Sequence, residues 1–135
     1  MAFDQTLTTQ AKLVALQALA TGTLKMALYT ADADLGAGTL IYSTANEVVG
    51  TGYTAGGNVI TNVTVLASGT TAYLDFDDVV WNPANFTARG ALIYNTNLGN
   101  LAVAVLDFGS DKTTTTTFTV QTPANTADAA LIRFA

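Results

Sequence analysis

The sequence predicts an all-β fold: a jelly-roll-like antiparallel β-sandwich of about eight strands, preceded by one N-terminal helix. Three observations predict it. Residues 86–134 contain four short apolar or β-branched runs, FTARGALIYN, LAVAVLDFG, TTTTTFTVQTP and ALIRF, separated by Asn, Gly, Asp and Pro. That is the pattern of consecutive antiparallel strands with tight connections. Upstream, strand-length runs recur with turn residues between them and no long helical spacing, which favours a sandwich or barrel over βαβ units. Only residues 9–21 place apolar side chains at helical intervals.

Taken in order, residues 1–9 (MAFDQTLTT) read as an extended arm in which Phe3 and Leu7 are the large apolar side chains. The helix follows over 9–21. Thr8 or Thr9 caps its start, and Gly22 ends it in a left-handed turn. Leu13, Val14, Leu16 and Leu19 form its apolar stripe, and Gln10, Lys12 and Gln17 form a small polar face. Residues 24–30 read as a strand, 32–38 as a loop, and 40–43 as a short strand. The glycine-rich stretch 47–58 reads as a long, flexible surface loop. Residues 59–66 alternate as a strand, with Val59, Val63 and Val65 on one face. Ser68-Gly69 marks a hairpin turn into a strand over 71–76. Residues 77–83 read as a turn that holds Trp81. The four C-terminal strands complete the set.

Two of those four strands are apolar on both faces. Leu101, Val103 and Val105 oppose Leu106 and Phe108, and Ile93 opposes Leu92 and Tyr94. A strand with a wet face would alternate, so these lie centrally in a sheet or in a subunit interface. The domain division expected is an arm and helix over 1–22 and a sandwich over 23–135, one domain overall, as 135 residues suggest.

Composition excludes several function classes. There is no cysteine, hence no disulfide framework or thiolate metal site, and no histidine, the commonest general base. A Ser-His or Cys-His pair cannot be assembled. The net charge of -5 and five scattered basic residues (Lys12, Lys25, Arg89, Lys112, Arg133) argue against nucleic-acid binding. The apolar runs are far shorter than a membrane span, and Asp4 precedes any basic residue, unlike a secretory leader. The expected setting is a cytoplasm, and the sequons at Asn62 and Asn85 read as coincidence. Charged residues make up only 11% of the chain, against about 25% in ordinary soluble domains. Partners are therefore expected to cover part of the surface.

Four features bear on chemistry. Asp75, Asp77 and Asp78 form an acidic cluster, which Asp107 and Asp111 are candidates to approach. They lack the spacing and the further oxygen ligands of a Ca²⁺ site and read as a solvated turn. The glycine loop 50–57 lacks the Lys-Ser/Thr of a phosphate cradle and precedes a strand rather than a helix N-terminus. Trp81, Tyr53, Tyr73 and Tyr94 suit core or interface anchoring better than a sugar groove. Arg89, inside an apolar strand, is expected to pair with an aspartate. No catalytic residue, cofactor or metal site is expected.

Met26-Ala-Leu-Tyr29, Gly52-Tyr-Thr-Ala-Gly-Gly57 and the block over 88–108 with its ARGALIYN and AVAVLDFG resemble the small decoration or cement proteins of tailed-bacteriophage heads. The resemblance runs from about Lys25 onward and rests on structural motifs. It implies a non-enzymatic virion structural protein on the outer capsid surface, a homo-oligomer (dimer or trimer) that bridges subunits of the major capsid protein after assembly in the host cytoplasm. Phe3, Leu7, Tyr53, Trp81, Arg89 and Tyr94 are the expected capsid or subunit contacts. The alternative is a receptor- or glycan-binding module of a tail fibre or spike.

Overall fold

The computed structural model describes residues 3, 5–122 and 130–134. Strands make up 44% of the molecule and every sheet is antiparallel, which gives the expected β-sandwich with one N-terminal helix. The helix α1, Thr9–Leu19, begins where Thr8 accepts the Ala11 N–H on its side-chain oxygen (3.2 Å). It ends at Ala20, and Gly22 takes the left-handed conformation at φ +83°.

Nine strands follow among the described residues. One layer is a four-stranded sheet in the order β2 (Asn58–Val59), β1 (Leu24–Tyr29), β6 (Phe86–Asn95), β7 (Leu101–Thr114). Facing it are a three-stranded sheet, β3 (Thr64–Ser68), β4 (Thr71–Asp75), β9 (Ile132–Phe134), and a two-stranded one, β5 (Val79–Trp81) with β8 (Phe118–Val120). One hydrophobic core joins all three sheets: Met26, Leu28 and Ile93 meet Leu74, Trp81 and Phe118. Leu16 of α1 enters the same core.

Strand β6 has two buried faces, as its double-sided apolar pattern predicts, because it is central. Ala91 and Ile93 face the main core. Leu92 and Tyr94, with Ala27 and Tyr29 of β1, face a second cluster closed by Ala33, Leu35 and Tyr42. The second face is thus covered by the chain's own loop. The core-facing positions change from Phe86 and Ala88 to Ala91 and Ile93. The faces reverse at the register shift between Ala88, opposite Lys112, and Gly90, opposite Asp107, where the pairing with β7 slips by an odd number of residues.

Several expectations are corrected. Strand β7 is an edge strand, and a second register shift, opposite Ile93–Tyr94, skips Val103. Val103 packs on the core with Leu106 and Phe108, while Val105 stays exposed. Residues 59–66 are not one strand: β2 and β3 are separated around Asn62, which holds a positive φ of 55°. Residues 40–43 form only an isolated bridge, Ile41 to Leu101. The expected turn at 77–83 contains β5. Lys12 lies on the inner side of α1, 5% exposed, and donates from Nζ to the Thr70 carbonyl at 2.8 Å. Its aliphatic stem follows apolar surface while its head reaches the β3–β4 hairpin.

Candidate functional site

Of the six expected contact residues, two are interior and a third is half-buried. Trp81 is 2% exposed, with its ring 6.3 Å from Tyr53 and edge-on to Phe118 at 6.1 Å. Tyr94 is also 2% exposed, stacks on Tyr42 at 4.6 Å and donates to the Gly56 carbonyl at 2.7 Å. Tyr53 is half-buried; its hydroxyl donates to Glu47 and accepts from the Leu28 N–H at 2.9 Å. The Trp81 and Tyr94 rings are closed to a partner while the chain is folded, and Tyr53 is partly so. Burying a large ring with its polar tip satisfied is worth more than exposing it; the Trp81 Nε1 has no hydrogen-bond partner among the described residues.

Arg89 and Asp107 make the expected ion pair, Nη2 to Oδ1 at 3.1 Å, with side chains 38% and 70% exposed. The Gly109 N–H and the Arg89 guanidinium hold the Asp107 carboxyl below the usual aspartate range. A lowered value adds stability above the ordinary carboxylate pKa that is lost as pH falls through the folded one. Both side chains are solvated, so water screens the pair and the effect is small. Phe3, 94% exposed, and Leu7, 47% exposed, do face outward.

The acidic cluster is dispersed. Asp77 accepts from Asn62 at 2.5 Å and from Thr61 at 3.3 Å, and Asp78 accepts from the backbone and hydroxyl of Thr122. No group of three acidic side chains among the described residues could share a metal ion.

The buried polar centre is one that the sequence reading missed. Glu47, the chain's one glutamate, is 7% exposed. Its carboxylate accepts from Tyr42 at 2.6 Å, from Tyr53, and from the Gly56 N–H at 2.8 Å. Tyr29 beside it donates to the Ser43 carbonyl at 2.7 Å. The only local hint is a lone Glu five residues after one Tyr and six before another. The network fastens the 31–46 loop and the glycine loop to the four-stranded sheet. The glycine loop is therefore not a loose surface segment. A Cβ on Gly57 would stand 1.8 Å from the Met26 carbonyl oxygen, and Thr51 bridges to Asn85.

Burial, then the Glu47 charge, raises the Tyr29 pKa to about 12; burial and Glu47 also raise those of Tyr42, Tyr53 and Tyr94. Groups with raised folded values contribute stability fully below their unfolded pKa and lose it as pH rises through the folded one. Alkaline unfolding is therefore expected to begin above the ordinary tyrosine value of 10.0 and to be steep towards about 12. Tyrosinate absorbance should rise together with loss of circular dichroism. Free titration of these tyrosines near 10.0 with the fold intact would contradict it.

The accessible site is a groove of about 650 Å³ at the mouth of the sandwich, between β7 and β8. Leu106, Phe108, Phe118 and Leu131 make its apolar floor, with Lys112 and Thr119 among its polar lining. At the opposite side of the sandwich, Asn58 donates to the Val80 carbonyl at 2.8 Å and ties β2 to β5. The groove has an apolar base with hydroxyls, one cation (Lys112) and one carboxylate (Asp107, paired with Arg89) in its lining, which suits binding of an extended chain rather than bond-breaking chemistry. No protein-family model, curated protein or solved structure matches this chain.

Proposed function

We propose that the protein is a non-enzymatic structural protein of a tailed-phage virion. It binds the outer surface of the capsid and stabilises it by bridging subunits of the major capsid protein. The observation that carries this reading is the surface. Phe3 and Val49 are each 94% exposed and Leu40 75%, on a chain in which only 11% of residues are charged. Large apolar side chains on so sparsely charged a surface suit contact with a partner. The resemblance of residues 26–29, 52–57 and 88–108 to phage decoration proteins is the other support for this reading. Interior placement of Trp81 and Tyr94 counts against the glycan-binding alternative, which needs exposed rings.

The test is titration of purified protein onto expanded, empty capsids. Saturable binding at a copy number comparable with that of the major capsid protein is expected, with shell melting rising as sites fill. Absence of binding, or only a few copies per particle, would overturn the reading and indicate a tail component or an unrelated role.

A further inference from the structure

We propose that the N-terminal arm of one copy seats in the β7–β8 groove of a second copy, adding a strand along the open edge of β7 with Phe3 against the groove floor. Both halves of this contact are present in the molecule. In the arm, Phe3 is 94% and Leu7 47% exposed, so neither has a seat in its own chain. In an extended chain Phe3, Gln5 and Leu7 share one face, and residues 1–7 span roughly 23–25 Å. In the groove, the start of β7 is already covered: the Ala102 N–H donates to the Leu40 carbonyl and the Tyr42 N–H to that of Asn100. Beyond Ala102, no strand among the described residues pairs with the outer side of β7.

An unpaired edge beside an apolar cleft is the arrangement that accepts an extended segment. Main-chain hydrogen bonds supply affinity, and alternate side chains enter the cleft. Leu106, Phe108, Phe118 and Leu131 offer aromatic and aliphatic surface to Phe3. Two charged side chains line the groove: Asp107 is engaged by Arg89, and the exposed Lys112, which has no ion pair among the described residues, is left to meet Asp4, the arm's only charged side chain. α1, which carries the arm, packs on β3 and β4 rather than beside the groove. An arm that leaves one copy for the next makes a contact between unlike surfaces, which closes as an exchanged pair or a ring.

The inference concerns the isolated protein, so its outcome is independent of capsid binding. The chain has no cysteine, so introduced thiols report only on each other. Gln5→Cys and Thr119→Cys single variants are mixed and oxidised. A disulfide-linked product at twice the 14.0 kDa of one chain should form from the mixture well above the level given by either variant alone. Adding Phe3→Asp to the Gln5→Cys variant should reduce that product at least tenfold. In sedimentation the native chain should exceed 14.0 kDa at micromolar concentration, and deletion of residues 1–7 should return it to that mass with its melting temperature kept. A mixture that cross-links no better than its parts would overturn the proposal. So would a cross-link found only within one chain carrying both cysteines, or a native chain that sediments as a monomer.

Discussion

Glu47→Ala is expected to remove about 3–5 kcal/mol of stability. It is the largest single-residue effect we anticipate outside the apolar core. The substitution deletes the acceptor for two tyrosine hydroxyls and one backbone N–H. A hydrogen bond to a charged group contributes about 1.5–3 kcal/mol, and a buried donor left without a partner costs about 1–3 kcal/mol. These terms overlap, and Tyr42 can recover water, so they do not add in full. For a chain of this size the loss corresponds to a fall in melting temperature of roughly 10–20 °C. Glu47→Gln separates shape from charge. It keeps the volume, but its amide nitrogen must face one of the three donors, so an intermediate loss is expected. Urea unfolding of both variants is the measurement. An alanine variant within 1 kcal/mol of the native protein, taken as roughly the cost of one ordinary hydrogen bond, would show that the network is not structural.

Gly57→Ala should be comparably severe by a different route. The added methyl would stand 1.8 Å from the Met26 carbonyl oxygen, which belongs to β1. The backbone there has φ +78°, a region that costs an L-residue about 1–2 kcal/mol even in open space. Forcing the strand aside adds about 1–3 kcal/mol of overpacking. Gly36→Ala is the control. Nothing lies within 4 Å of its Cβ position and its φ is not positive, so its effect should stay within about 0.5 kcal/mol of zero. Equal melting temperatures for the two variants would refute the close-approach account.

The parts of the fold that were legible in the sequence are those fixed by neighbours along the chain. Thr8 caps α1, Gly22 ends it, and the Ser68–Thr71 hairpin closes where Gly69 stands. Each of these depends on a few consecutive residues. Misreadings arose where the deciding contact is distant. Lys12 is buried because Thr70, 58 positions away, offers a carbonyl. Three residues of β5 are too few to show a period, so only pairing with β8 makes them a strand. The face of Val103 depends on a bulge against β6, which the apolar pattern of β7 alone does not reveal. The same holds for the site. Phe3 and Leu7 were legible as outward because no periodic segment claims them. Tyr53, Trp81 and Tyr94 carry a pattern that serves interface and core alike, and tertiary packing put them inside. Glu47 gave almost no signal, since its partners come from both sides of it in sequence and meet only once two loops fold onto the sheet.

The order of the four-stranded sheet has a further consequence, for synthesis. β1 pairs with β6, Leu24 opposite Asn95, so its principal neighbour is made much later. At 5–20 residues per second, a ribosome needs roughly 4–14 s to add the intervening residues. During that interval Leu24–Tyr29, LKMALY, is an apolar segment of strand-forming residues without its main partner. Such a segment invites pairing with other nascent chains. Lys25, the only charge within it, is the kind of gatekeeper that keeps a waiting strand in solution, and in the finished sheet it stands opposite Tyr94 and Val59.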